Sequence, residues 1–333
     1  MAPTARTAEQ LAGCLLGQAL GDALGFVVEA QPPEVARTYV DEWLRRGRAG
    51  ERSSPHYPFG QYSDDTQLAR ELLISFREHR LWDPEHYAHR LAQLFGQARD
   101  VGAGSGTRSA ALRIQQGVHW SRAGTPAPYA GNGSAIRAGP VGLLFSDSAT
   151  IVRVAREQSR ITHLDSRCTA GAVAIALGVS IAIREEPIAP RQFLDEIAAA
   201  VEQDDMTFAR ALRSSAEWTS ISPAEAAGRL HQTNLDPAYP NWRGVSAFVV
   251  PSVIWSMYSF LRSPDDYWET VCTAIAVGGD TDSTAAMAGA MSGARGGSAE
   301  LPEGLLVRLT DRGEWGAGEL TLLARDCAGI SWG

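Results

Sequence analysis

The chain has 333 residues and no lysine; every basic residue other than histidine is arginine. That excludes a Schiff-base lysine and a Walker-A phosphate lysine together. Cysteine is scarce: Cys14, Cys168, Cys272 and Cys327 are scattered, with no CxxC pair. Three of them sit in apolar helical patterns, which reads as buried free thiols in a reducing compartment. There is no HExxH or HxxEH pattern; His86 and His89, beside Glu85, read as solvated or capping groups, not zinc ligands. No basic run reaches five residues, and the net charge is -8, so nucleic acid is not expected as a partner. The longest apolar run, Ala170 to Ile183, is too short for a membrane span, and Met1 to Gln10 carries no apolar signal segment. A cytoplasmic monomer without a membrane partner is the expectation.

Alternating apolar and polar residues, the mark of strands, are nearly absent. Hydrophobic residues make up 44% of the chain, enough for a sizeable core. Apolar residues recur at helical spacing almost throughout, predicting one all-α bundle of twelve or more helices over 1-333. Its core is expected over about 9-295, with a helical tail over 296-333. No linker divides it. The first helix is expected from Glu9 to Ala30. Gly13, Gly17, Gly21 and Gly25 form a stripe along it, at a cost of roughly 1 kcal/mol each relative to alanine. Such a stripe is tolerated where another backbone approaches closely, so this helix should be central. Asp22 and Glu29, seven apart on it, read equally as structural or functional carboxylates.

Two short acidic clusters carry the chemistry. Gly278-Gly279-Asp280-Thr281-Asp282-Ser283 stands between two helical patterns, and Tyr62-Ser63-Asp64-Asp65-Thr66 precedes another. Alone, each reads first as a helix N-cap. Together they place four carboxylates in two matched settings far apart in sequence. If the fold brings them together, hard divalent cations are the natural neutralising partners. Without cysteine or histidine nearby, magnesium or manganese is favoured, as two ions with a bridging water. Hydrolysis of a hydroxyl- or phosphate-bearing substrate follows. Two glycine turns, Gly102 to Thr107 and Gly131 to Arg137, precede helical or apolar runs, and Thr162-His163 precedes a strong helix. Each alone reads as an ordinary turn or cap.

Five segments taken together resemble the ADP-ribosylglycohydrolase family. They are Gly21-Asp22-Ala23-Leu24-Gly25 with Glu29, Ser63 to Thr66, Gly131 to Arg137, Thr162-His163, and Gly278 to Ser283. The resemblance implies an all-α bundle holding two magnesium or manganese ions. It implies Ser63, Asp64, Asp65, Asp280, Asp282 and Ser283 as metal ligands; the two serines stand where many members have threonine. It implies Glu29 or Asp64 as proton acceptor. Gly102, Gly104 and Gly106 would lie on the diphosphate side, with Asn132, Gly133 and His163 as further ADP-ribose contacts. An aromatic stacked on adenine is also implied, a position the sequence does not place beyond a nomination of Tyr129.

The implied activity is release of ADP-ribose from a modified acceptor, with ADP-ribosylated arginine on protein as the leading choice. Serine-, nucleic-acid- or small-molecule-linked ADP-ribose is the alternative. So is a non-catalytic ADP-ribose-binding protein, which intact metal carboxylates disfavour.

Overall fold

The computed structural model describes residues 5–184, 187–233, 235 and 243–330. Among these the chain forms seventeen α-helices, and its β pairing is confined to isolated bridges. The Pro-punctuated loop expected from Asn234 to Trp242 falls almost wholly outside the described residues. The helices that build the site are α1 (Ala5–Gly25), α2 (Asp64–His79), α3 (Ser105–Gln115), α4 (Ser148–Thr162), α5 (Ser166–Ala182), α6 (Val249–Arg262), α7 (Tyr267–Ala276) and α8 (Thr281–Gly296).

The glycine stripe explains the centre. A Cβ on Gly13, Gly17, Gly21 or Gly25 would stand 2.1, 2.4, 2.2 or 2.3 Å from the carbonyl oxygens of Gly293, Gly289, Ala285 and Thr281. Each four-residue step along α1 is a four-residue step back along α8, so the two helices run antiparallel in backbone contact. Gly289 and Gly293 return the contact against Gly17 and Gly13. Hydrogen bonds from Thr281 Oγ1 to the Gly25 carbonyl (2.8 Å) and from Tyr267 Oη to the Gly17 carbonyl (2.8 Å) fix the register. The apolar core spreads outward from this pair and includes residues from Leu11 to Ala328. The last helix, Ala317–Ala328, joins it through Leu320, Leu323, Ala324 and Cys327.

Three expectations change. The first helix stops at Gly25, and a 3-10 turn over Phe26–Val28 follows. Glu29 then takes an extended backbone (φ -52°, ψ 140°), so it does not share a helix face with Asp22. Helix α3 begins at Ser105, inside the expected Gly102–Thr107 turn, which draws Gly106 into its first turn. Finally, Ala8–Val28 is long and apolar enough to cross a membrane by length and composition, with a mean hydropathy of 1.6. Counting uninterrupted apolar runs missed it, because Gln18 and Asp22 interrupt it. In the fold, nearly all of this stretch is buried inside the protein.

Candidate active site

The N-termini of α2 and α8 meet beside the end of α1. Asp22 organises the first. Its carboxylate accepts from the Ser63 amide (2.9 Å), the Thr66 amide (3.1 Å) and the Thr66 hydroxyl (2.6 Å). Two of these donors are backbone amides of the kind a helix start leaves unpaired, so Asp22 clamps α2 onto α1. Ser63 is the N-cap, its Oγ accepting from the Asp65 amide at 3.2 Å. The Gln18 side chain adds a bond to the Asp65 carbonyl (2.8 Å).

At α8 a sharp reversal precedes the helix. Gly278 and Gly279 have φ of +74° and +84°, a region open to glycine at little cost. A Cβ on Gly278 would also strike the Gln31–Pro33 backbone. The amide of Ala30 donates to the Gly279 carbonyl (2.8 Å), and the Gly279 amide to that of Gln31 (2.9 Å). The turn thereby locks the Glu29 strand beside the cluster. Asp280 is the N-cap residue of α8, yet its side chain makes no capping bond. It accepts from Asn132 Nδ2 at 2.6 Å instead. A carboxylate whose only task was capping would have been spent on the helix.

The two clusters do come together. Oxygens of Asp22, Asp65 and Asp282 lie within 4.8 Å of one another, as do those of Glu29, Asp280 and Asp282. Both groups are carboxylate-only. Burial, then neighbouring negative charge, raises the Asp64, Asp65 and Asp282 carboxyls well above the usual range. Burial also raises Asp280, against the Asn132 bond that lowers it. Glu29 is pushed up to about 7 by burial, then by the Asp280 and Asp22 charges. Asp22 is pushed up to about 6 by burial, its hydrogen bonds pulling the other way. Asp65 Oδ2 is buried without a hydrogen-bond partner. Clustered carboxylates with an orphaned oxygen and no neighbouring cation fit oxygen-loving divalent ions.

These groups open into a cavity of about 210 Å³. Glu29, Asp64, Asp65, Asp280, Asp282 and Ser283 form its acidic end. Gly102, Gly104, Asn132, Gly133, Tyr129 and His163 line the rest. Gly102 has φ +83°, and the Val101 carbonyl before it accepts from the Asp64 amide (2.7 Å). His163 is fully enclosed, its Nδ1 2.8 Å from Thr162 Oγ1. Burial and then the Arg137 charge lower it to about 3, so it is neutral at physiological pH. Tyr129 stacks on it, centroids 5.8 Å apart. Behind both, Arg137 is buried and donates to Gln158 and Thr162 (2.7–2.8 Å).

Of the residues singled out from sequence, two stand off the cavity wall. Ser63 is buried behind Asp64, its oxygen committed to the α2 cap. Gly106 lies against the back of Tyr129: its amide donates to Tyr129 Oη (3.1 Å), and a Cβ there would meet the ring at 2.2 Å. It seats Tyr129 and does not face the cavity. Sequence reasoning left Asp22 undecided, included Thr107 and Ile136 in its glycine turns without giving them a role, and missed Ala247; the last three also line the cavity. The adjacency of Asp22 to the glycine stripe was the usable signal for the first, and membership of the two glycine turns for Thr107 and Ile136; Ala247 gave none.

A helical protein with a buried carboxylate cavity between two helix N-termini is the class these features define. The ADP-ribosylglycohydrolase family model matches residues 3–331, and the chain belongs to that family. An uncharacterized protein of Archaeoglobus fulgidus is 32% identical over 312 residues, covering 91% of this chain and 92% of the relative. ADP-ribosylhydrolase ARH3 of Bos taurus is 30% identical over 331 residues, covering 91% and 89%. ADP-ribosyl-(dinitrogen reductase) glycohydrolase of Rhodospirillum rubrum is 26% identical over 304 residues, covering 89% of each. A solved ADP-ribosylglycohydrolase-related protein complex shares the fold, with TM-score 0.70 at 24% identity over 99% of this chain and all of that one. Membership assigns the chain to the ADP-ribosyl glycohydrolases.

Proposed function

We propose that the chain hydrolyses the bond between the ribose anomeric carbon of ADP-ribose and an arginine side chain on a protein, in a reaction that needs two magnesium or manganese ions. The observation that carries this reading is the convergence of Asp64, Asp65, Asp280 and Asp282 on one cavity with Glu29 at its edge. Those four carboxylates, with the Ser283 hydroxyl, would hold the ions, while Ser63 would support them from behind by capping α2. When bound, divalent ions supply charge neutralisation and Lewis acidity toward ribose hydroxyls and a water.

The chain's own groups account for the rest. Glu29, raised to about 7, is matched to accepting a proton near neutral pH; Asp64 is the other candidate acceptor. Water oxygen adds to the anomeric carbon, the carbon–nitrogen bond breaks, and the proton ends on the departing guanidine. The carboxylates stabilise the positive charge that grows on the ribose. Asn132 holds Asp280 in place. Gly102, Gly104 and Gly133 leave backbone exposed toward a diphosphate, and neutral His163 with Tyr129 closes that end. A protein acceptor is supported by the printed name of the Rhodospirillum rubrum relative. Arginine is supported by the Gly21 to Glu29 segment, which resembles the bacterial branch of the family acting on ADP-ribosylarginine. A reducing compartment belongs to the same proposal, supported by four buried free thiols.

The test is an acceptor panel of ADP-ribosylated arginine, serine and nucleic acid, with magnesium or with chelator. ADP-ribose release from arginine, lost in chelator, is expected. Folded protein that binds ADP-ribose but releases none from any acceptor would overturn the reading in favour of a binding protein.

A further inference from the structure

Glu29 stands between two cavities. One is the carboxylate cavity. The other is larger, about 770 Å³, and shares Glu29 and Gly102 with the first. No other described cavity shares a residue with the carboxylate site. The large cavity is built by the Phe26–Val28 turn, the short helix Pro33–Tyr39 and the loop from Arg52 to Tyr57. Its walls are mostly apolar and aromatic. At the inner end, the Phe26 and Tyr57 rings pack with centroids 5.8 Å apart. Phe26 also reaches toward Gly102, 3.9 Å from where a Cβ would stand, so it forms the partition between the cavities. At the outer end, the guanidinium groups of Arg48 and Arg52 lie over the Trp43 ring, 4.4 and 4.2 Å from its centre.

A glycosidic bond has two sides, and the groups that cleave it sit between them. If the glycine loop, Asn132 and His163 take the ADP-ribose side, the acceptor must lie across Glu29 from them. We propose that the large cavity is the acceptor cleft, and that its inner end, between Phe26, Tyr57 and Glu29, receives the guanidinium of a modified arginine. This rests on the arginine reading above. A planar, delocalised cation stacks on aromatic faces and pairs with a carboxylate. The cavity wall already holds one guanidinium of its own chain, that of Arg52 on Trp43, and Arg48 lies over the same ring from outside the lining. Arg52 has no carboxylate partner among the described residues, so positive charge at the outer wall confines the acceptor cation to the inner end. The cavity is several times the size of a guanidinium, which leaves room for the peptide that carries it.

Three variants at two positions test the assignment. Tyr57 lies in a loop and is half-buried, and Val35 is 41% exposed on the short helix; neither anchors the core. For Tyr57→Ala, KM for an ADP-ribosylarginine peptide should rise about tenfold, the scale of one lost aromatic–cation contact. Tyr57→Phe should restore it. Val35→Trp, which fills the cavity, should raise KM further. Calorimetric affinity for free ADP-ribose with magnesium should stay within about twofold in all three, since product lies on the other side of Glu29. An active wild type with unchanged KM in Tyr57→Ala and Val35→Trp overturns the cleft alone. ADP-ribose affinity that falls together with KM also overturns it, placing part of ADP-ribose in this cavity. A wild type inert on arginine but active on another acceptor overturns the arginine reading on which the guanidinium assignment stands.

Discussion

Helix α2 carries two buried charge clusters that are settled in opposite ways. Further along the helix, Arg70 bonds Asp311 (2.6 Å) and Glu71 (3.0 Å), and Arg90 bonds the other side of Glu71 (2.7 Å). Gln67 adds a bond to Asp311 at 2.9 Å. Every charge there has an opposite partner within reach. At the start of the helix, Asp64 and Asp65 face Asp22, Glu29, Asp280 and Asp282, and none of these six has an ion-pair partner among the described residues. Arg137, the buried cation nearest in effect, spends its bonds on Gln158 and Thr162. Buried charges persist when they are paired or when they hold metals. The first cluster is a fastening between α2 and the Leu309–Glu314 loop; the second is unfinished without a ligand.

The comparison breaks most visibly under Arg70→Ala. That change leaves Asp311 and Glu71 buried without Arg70, Glu71 keeping only Arg90. Removing one partner of a buried pair typically costs about 3–5 kcal/mol. Thermal or urea unfolding should show a loss of that order, with or without magnesium. A loss below about 1 kcal/mol, the value of an exposed pair, would mean that the cluster is open to water and that the contrast drawn here is false.

How much of this was legible from sequence divides along the same line. Helical spacing and the glycine stripe disclosed the all-α fold and a central close-packed helix, because both reflect local periodicity. The α8 partner of that stripe was not legible: Gly289 and Gly293 meet Gly17 and Gly13 only through long-range packing. The two acidic clusters could be read because Gly278-Gly279 and Ser63 mark helix starts, where carboxylates have a common aim. Asp22 could not be separated from a solvated charge, since its role is three bonds to a helix over forty residues away. Gly106 was misjudged because a glycine that opens room for a tyrosine ring looks, in one dimension, like a glycine that opens room for phosphate. The Arg70–Glu71–Asp311 fastening passed unnoticed, as adjacent opposite charges on a helix usually face water.

Neutralising one member of the unfinished cluster should have two effects of opposite sign. Asp282→Asn keeps the shape and an oxygen for the Ser283 amide, which now donates to Asp282 Oδ1 at 2.9 Å. It removes one charge from both carboxylate groups. Turnover should fall roughly 10²–10³-fold, the scale of losing one electrostatic contact at a reacting centre. Stability in chelator should instead rise, by a few degrees in Tm, because a buried repulsion is gone. A variant that loses both activity and stability would show that Asp282 is a structural cap, and the two clusters would no longer differ in kind.

The pH dependence is the most diagnostic effect, because it reads the repulsion without mutation. Asp22 is raised from 3.8 to about 6 and Glu29 from 4.5 to about 7, burial being the first cause in both. Between the unfolded and folded values the native state therefore binds more protons than the unfolded chain, so stability falls as pH rises. In chelator the unfolding free energy should decline from about pH 4 to pH 7, by up to ~1.4 kcal/mol per pH unit for each group in its window. Below pH 4 both states hold the protons and the slope vanishes. Magnesium binds the ionised carboxylates, so saturating metal should flatten or reverse the decline. Urea unfolding at several pH values, with and without magnesium, checks this. Stability in chelator that climbs steadily from pH 4 to 7 would mean the carboxylates are already satisfied within the chain, and the cluster would join Arg70 and Asp311 as a fastening.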